Sequence, residues 1–304
     1  VVQFLKHGDL DKTKWDACVE RSSGGYPYGF SWWLDVVCPG WTGLAMGDYD
    51  AVMPLPLRRK FGYSYVFQPY FTQQLGIFSH ITGDAALTAA FLSAIPKEFR
   101  YVRLHLNSNN ILPGNDFTFS HRRNYELSLT PGVDTLTGNF HRNCRRNIQK
   151  AKHAGLTIDA GPGPQAFTRF IERHLDRQLG RVPQSIYPTL TQLIQVAQAH
   201  GTGEITGVYD IQRELVAAGW FMVTPSRCLF LVCASTKKGR DEQAMYLLVN
   251  DMIRRQAGTG RLFDFTGSNL PGVAYFDAGF GARETFYPTW VRNTLPWPLR
   301  MMKS

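Results

Sequence analysis

"LFLVCASTKKGRDEQAMYLLVNDMIRRQAGTGRLFDFTGSN" runs from Leu229 to Asn269 and divides into segments of alternating character. "RCLFLVCAS", Arg227 to Ser235, is an apolar run of strand length. Cys228 and Cys233, five apart on that strand, point to opposite faces. A short charged loop follows, with Lys237, Lys238, Gly239 and Arg240. "DEQAMYLLVNDMIRRQA" then has helix composition, and "RLFDFTGS" reads as a second strand. Strand, loop, long helix and strand make an α/β unit.

The order of the segments points to chemistry at the loop. A helix start presents unpaired backbone N–H groups and the positive end of the helix dipole, which together attract anions. Lys237, Lys238 and Arg240 add charge, and Gly239 gives the backbone freedom. The plain alternative is an exposed turn between a strand and a helix.

Outward from this unit the pattern repeats. "GEITGVYD" and "ELVAAGWFMVT" form a hairpin around Ile211-Gln212-Arg213. "LTIDAG" is a strand; "QAFTRFIERHLDRQLG" and "LTQLIQVAQAH" are helices. Downstream come a short helical piece from Pro271 and the strand "ETFYPTWVR". The first half has the same grammar: helix "KWDACVERS", a hairpin turning at Gly47-Asp48-Tyr49-Asp50, strand "YSYVFQPY", helix "DAALTAAFLSAI" with Asp84 as N-cap, and strands "RYVRLHLN" and "YELSLT". The expected fold is α/β with mixed sheets in two related domains, residues 1–135 and 136–304. The boundary is expected within "LTPGVDTLTG", residues 129–138, where Gly, Pro and Thr cluster.

A chain of 304 residues with 44% hydrophobic and 19% charged residues can build such cores. No run approaches the roughly 18 apolar residues of a membrane span. "VVQFLKHGDLDKTKWD" turns charged too early for a signal peptide, so a cytoplasmic location is expected. Five scattered cysteines without a CxxC pair point to buried thiols rather than a metal site. His174 and Asp176 face different sides of one helix and read as surface residues. The net charge of +9 favours an anionic partner, though solubility alone also accounts for it.

The charge is densest in "HRNCRRNIQKAKHAGL", residues 141–156. On a helical wheel Phe140, Cys144, Ile148 and Ala151 form a thin apolar seam, and Arg142, Arg145, Arg146, Lys150, Lys152 and His153 lie opposite. Gly155 stops the helix. The basic face is either a solvated surface or an RNA contact through Arg142, Arg145, Arg146 and Lys150.

Three stretches resemble the FemABX family, whose members pair two GNAT-like acyltransferase domains: "RNCRRNIQKAKHAGLTI", the opening stretch, and "FDAGFGARETFYP". The resemblance implies a tandem GNAT-like fold, with a degenerate N-terminal domain and the donor site in the C-terminal one. It implies an N-acyltransferase, in which an amine acceptor, a small molecule or a peptide, attacks an activated acyl group, with acyl-CoA (acetyl-CoA) as donor and no metal. Lys237, Lys238, Gly239 and Arg240 would hold the donor's phosphates, although the usual Gln/Arg-x-x-Gly-x-Gly/Ala loop is not intact. Asn269, Tyr275, Gly279 and Phe280 match the GNAT ending, which makes Tyr275 the acid that protonates the leaving thiolate.

Gln68, Tyr70, Gln73 and Gln74 are the expected acceptor-lining residues. Asp264 either orients the amine or caps a loop. Where the family commonly has Lys after Phe, this chain has Asp277, which reverses the sign of the charge. Two further readings stand beside the first. One is aminoacyl transfer from aminoacyl-tRNA, with tRNA on the basic helix. The other is a non-enzymatic binding protein on a degenerate GNAT scaffold. No residue pattern places a general base.

Overall fold

A computed structural model describes residues 1–60, 62–80, 84–114, 119–175, 182–267, 269–297 and 300. Asp176 and most of the tail "LPWPLRMMKS" lie outside the described residues. The chain forms two compact units, Val1–Arg122 with Phe286–Ser304, and Arg123–Thr285.

The first unit opens with β1 (Val2–Leu5), α1 (Lys12–Arg21) and α2 (Ser31–Val37). Asp11 caps α1 by accepting from the N–H groups of Thr13 and Lys14. β2 (Thr42–Met46) and β3 (Ala51–Leu55) form the expected hairpin, with Met46 opposite Ala51. β4 (Leu57–Lys60), β5 (Tyr63–Val66), β6 (Phe78–Ser79), α3 (Ala85–Ala94) and β7 (Tyr101–His105) follow. Asp84 caps α3 as its sequence position indicates. One antiparallel sheet runs β1-β2-β3-β6. β5 pairs β4 antiparallel and β7 parallel, so the strands are mixed. Trp15, Trp33 and Trp41 are fully buried, and Gly43 leaves room for the Trp15 ring, which lies 2.6 Å from where a Cβ would stand.

The second unit contains most of β8 (Phe119–Ser128), then α4 (Val133–Gly138), α5 (Arg142–His153), β9 (Thr157–Ala160), α6 (Pro164–His174) and α7 (Ile186–Ala199). Next come β10 (Gly203–Tyr209), β11 (Leu215–Val223), β12 (Arg227–Ser235), α8 (Lys237–Asp241), α9 (Ala244–Gln256), β13 (Leu262–Asp264), α10 (Pro271–Gly279) and the start of β14 (Arg283–Asn293), whose residues from Phe286 onward belong to the first unit. Its strands run in the order β8-β13-β12-β11-β10-β9. β12 and β13 are parallel; the other described pairings of this unit are antiparallel.

Two expectations need correction. The units divide at Arg122/Arg123 rather than at 135/136, and the chain returns to the first unit at Phe286. Glu126, Leu127 and Ser128 pair with Asp264, Phe263 and Leu262, which ties β8 into the second unit before the Gly/Pro stretch begins. That stretch holds α4, with Leu136 buried in the core. The single helix expected from Asp241 is two helices, because Gln243 turns left-handed at φ 64° between α8 and α9.

The wheel of α5 matches its packing. Phe140, Cys144, Ile148 and Ala151 are all buried, and the Phe140 ring meets Phe280 edge-on at 5.2 Å. Gly155, at φ 73°, follows the helix end. All five cysteines are unbridged; four are buried and Cys233 is half-buried. No described helix is long and apolar enough to cross a membrane.

Candidate functional site

The site is built where β12 and β13 part. Their parallel register holds for Arg227–Leu229 against Leu262–Asp264. β13 then ends, while β12 continues to Ser235 against β11. From Leu231 onward one edge of β12 therefore has no strand beside it among the described residues. The departing chain is pinned by Thr266, whose hydroxyl donates to the Phe230 carbonyl at 2.6 Å.

Asp264 closes the base of this wedge and is fully buried. It accepts from Asn124 Nδ2 at 3.0 Å, Arg227 Nη1 at 3.0 Å and the Thr266 N–H at 2.8 Å. Arg227 also donates to Glu126 Oε1 at 2.6 Å. Burial pushes the Asp264 carboxyl's pKa up, and the Arg227 guanidinium pulls it back. Asp264 thus caps the turn after β13, the second of its two expected roles, and anchors an ion cluster as well.

The turn itself is strained. Thr266 has φ 52° and Gly267 φ 31°. A Cβ on Gly267 would stand 2.5 Å from Asn124 Cα and 2.6 Å from the Arg123 carbonyl oxygen. Those atoms are backbone and cannot swing aside. Gly267→Ala should cost about 2–4 kcal/mol and loosen the Asn124–Asp264 bond. The midpoint of urea unfolding measures the loss.

α10 carries the next two candidates. Asp277 is 2% exposed, and its Oδ2 has no hydrogen-bond partner among the described residues. Burial, with Asp264's charge acting in the same direction, raises its pKa from the ordinary 3.8 to about 8. Tyr275 sits two residues earlier, about 200° around the helix, and is 60% exposed. The expected acid therefore faces solvent across α10 from the buried carboxyl. Asn269 is exposed, and its Oδ1 accepts from the Arg123 N–H at 3.3 Å. Burial raises the pKa of the half-buried Cys233 thiol to about 12, which keeps it protonated and unsuited to nucleophilic attack.

The charged loop is occupied with its own chain. Thr236 caps α8 by accepting from the Gly239 N–H at 3.0 Å. Lys238 pairs with Asp210 at 2.6 Å, a contact that raises the lysine's pKa and lowers the aspartate's. Lys237 pairs with Asp241 at 2.7 Å, and Arg240 donates to the Ser235 carbonyl at 2.7 Å. Gly239 lies against the Val216 carbonyl, so its lack of a side chain serves packing. By contrast, Arg142, Arg145, Arg146 and Lys150 on α5 are exposed and form no ion pair with a described acidic residue.

In the first unit, Gln68 donates to the Thr72 carbonyl at 2.7 Å and accepts from the His105 N–H at 3.0 Å. Gln74 is buried, accepts from the Ser108 N–H at 3.0 Å and donates to Gln73 Oε1 at 2.9 Å. These amides hold their loop to β7, and Tyr70 alone of the four is exposed. His105 is half-buried, and desolvation lowers its pKa to about 4, so it is neutral. A separate pocket in this unit is lined by Ser22, Ser23, Tyr26, Asn107 and Asn110 among others, but the Asn107 and Asn110 amides both donate to the Ile77 carbonyl.

Sequence reasoning missed Arg227 and Glu126, because their partner Asp264 lies far along the chain. It noted Asp277 only as a change of sign. The described residues contain no cluster of three or more His, Cys, Asp or Glu able to hold a metal.

Residues 138–277 match the acetyltransferase (GNAT) domain family. A crystal structure of FemX covers 96% of this chain and 98% of its own at TM-score 0.70 and 14% identity. L-PGS from Bacillus licheniformis covers 96% and 95% at TM-score 0.56 and 14% identity. A tandem GNAT protein from the clavulanic acid biosynthesis pathway covers 97% and 99% at TM-score 0.55 and 13% identity. At these identities the likeness is one of fold. No curated protein matches the chain significantly in sequence.

Proposed function

We propose, from the premise that residues 138–277 of this FemABX-like chain are a GNAT acetyltransferase domain, that the protein forms an amide between an activated acyl donor and an amine. The observation that carries the reading is the parting of β12 and β13. An unpaired strand edge offers backbone N–H and C=O groups in a fixed row. An extended, amide-bearing arm such as that of coenzyme A can lie along such an edge as an added strand does. N–H groups on the same edge can then polarise the acyl carbonyl as charge builds on its oxygen. Holding donor and amine together supplies much of the remaining rate.

Acyl-CoA is our first assignment for the donor. Its phosphates would have to compete with Asp210 and Asp241 for Lys238 and Lys237. Arg240 and the N–H groups near Gln243 complete that anion surface. The second reading is an aminoacyl-tRNA donor. It is favoured by the α5 face, whose Arg142, Arg145, Arg146 and Lys150 have no described acidic partner. Tyr275 can serve as proton donor in either case if the leaving group lies over the outer face of α10.

The deciding experiment offers the protein radiolabelled acetyl-CoA or charged tRNA with a panel of amines and measures amide formation. Transfer from acetyl-CoA that varies little with salt supports the first donor. Transfer from charged tRNA should fall steeply with salt, since each phosphate contact adds to the slope. Reversing the charge at Arg142, Arg145, Arg146 and Lys150 should then weaken tRNA use by roughly 100-fold or more while leaving the buried seam intact. Absence of transfer from both donors would refute the enzymatic reading and leave a binding protein.

A further inference from the structure

Buried polar side chains in the second unit have partners almost throughout. Asp264 accepts three hydrogen bonds, and the buried Asp210 accepts from Lys238 and from the N–H groups of Gln212 and Glu214. Glu242 Oε2, on a half-buried side chain, and Asp277 Oδ2 break the pattern, and of the two residues Asp277 is the deeply buried one. It is as buried as Asp264 and Asp210 are, and its Oδ2 is unpartnered among the described residues. A carboxylate in that state is costly, and such a group is kept where something uses it.

Its surroundings say what could use it. From β13 it feels the charge of Asp264. From β12, Arg227 is already shared between Asp264 and Glu126 of β8. From β8, Tyr125 donates to Glu284, which Arg123 also pairs. Cys233 of β12 is a protonated thiol. α5 and α9 also pack on α10 and bring Cys144, a thiol whose pKa burial raises to about 12, and Tyr246, whose pKa burial also raises. The missing partner is a proton or a cation, and an acceptor amine arrives as both, being an ammonium at neutral pH.

We propose that Asp277 is the general base for the acceptor amine, with Oδ2 taking a proton from the incoming ammonium. The proposal rests on the N-acyltransfer reading above. The ammonium carries two protons that the amide does not keep. Asp277 takes the first, and the freed amine attacks the acyl carbonyl to form the C–N bond. As the bond to the leaving sulfur or oxygen breaks, that atom takes a proton from Tyr275 or solvent, and the carboxylic acid gives its own proton to solvent. The second proton leaves the positively charged nitrogen for the same carboxylate and passes to solvent, restoring the base. Burial keeps the carboxyl basic enough for this work near neutral pH.

The test uses the full chain, the amide assay and carbon-13 NMR of the aspartate carboxyls. Asp277→Asn identifies the Asp277 resonance by its loss. That resonance should titrate near pH 8, and n-butylamine should shift its midpoint down by about one unit, since a nearby cation favours the carboxylate. Asp277→Asn should lower kcat roughly 100-fold with the donor KM unchanged, and Asp277→Glu should recover part of the loss. The wild-type rate should rise with pH through the same midpoint, and the Asn variant should lose that limb. A wild type that transfers acyl groups while Asp277→Asn is equally fast overturns this proposal alone. So does an Asp277 that titrates in the ordinary carboxylate range or ignores n-butylamine. A wild type that transfers no acyl group overturns the N-acyltransfer reading and takes this one with it.

Discussion

Arg227→Met should destabilise the second unit by about 3–5 kcal/mol, the usual penalty for removing one partner from a buried charge cluster. Arg227 is 5% exposed, and its guanidinium bridges Glu126 at 2.6 Å and Asp264 at 3.0 Å. Without it Asp264, fully buried, keeps hydrogen bonds from Asn124 and Thr266 but faces Glu126 with no intervening cation. Its carboxyl would then bind a proton more readily still, since Arg227 is the largest influence opposing burial. The loss should shrink in acid, where Asp264, whose pKa burial already raises, takes up a proton and no longer needs the cation. It should also shrink in the Arg227→Met, Asp264→Asn double variant, which removes charge from both sides. Urea unfolding followed by tryptophan fluorescence at neutral pH and near pH 4 gives both comparisons. Equal losses at the two pH values would contradict the account.

The second large effect has the opposite sign: Asp277→Asn should stabilise the protein at alkaline pH. The folded chain holds the Asp277 proton up to about pH 8, and the unfolded chain releases it near the ordinary 3.8. Between these values the native state binds more protons, so stability falls as pH climbs through that window. Below it the carboxyl is neutral in both states and costs nothing. Above it the full penalty is roughly 6 kcal/mol, from about 1.4 kcal/mol per pH unit. Asparagine has the same shape and cannot ionise. The melting temperatures of the two proteins should therefore nearly coincide at pH 4, diverge steadily to about pH 8 and keep a constant gap beyond it. A gap that is constant over the whole range would mean that the folded carboxyl ionises in the same range as in the unfolded chain, with no raised pKa. A variant that is more stable and less active fits a residue kept for chemistry.

Much of the fold was legible because it is written in local signals. Asp84 as a cap, the turns at Gly47–Asp50 and Ile211–Arg213, and the seam of α5 all depend on residues within a few positions of one another. The break at Gln243 was not legible, since no glycine marks it. The unit boundary was obscured because β8 is claimed by β13, a strand far along the chain.

The site was legible in outline and not in detail for the same reason. Lys237, Lys238 and Arg240 look available in a loop; Lys238 proves to be held by Asp210, which only folding brings near. Gln68 and Gln74 look like lining residues until their amides are seen holding backbone groups. Asp277 is one letter among many acids until its burial is known, and burial belongs to the folded chain.

The course of the chain between the two units also bears on synthesis. Tyr101–His105 of β7 pair with Thr289–Asn293 of β14, and all of Arg123–Thr285 lies between them. A ribosome therefore delivers every residue of the second unit before the strand that completes the first. The early-made unit must wait with one edge of β7 unfilled, and such an edge invites stray pairing. The order of birth is thus the reverse of the order of completion: the unit begun first closes last.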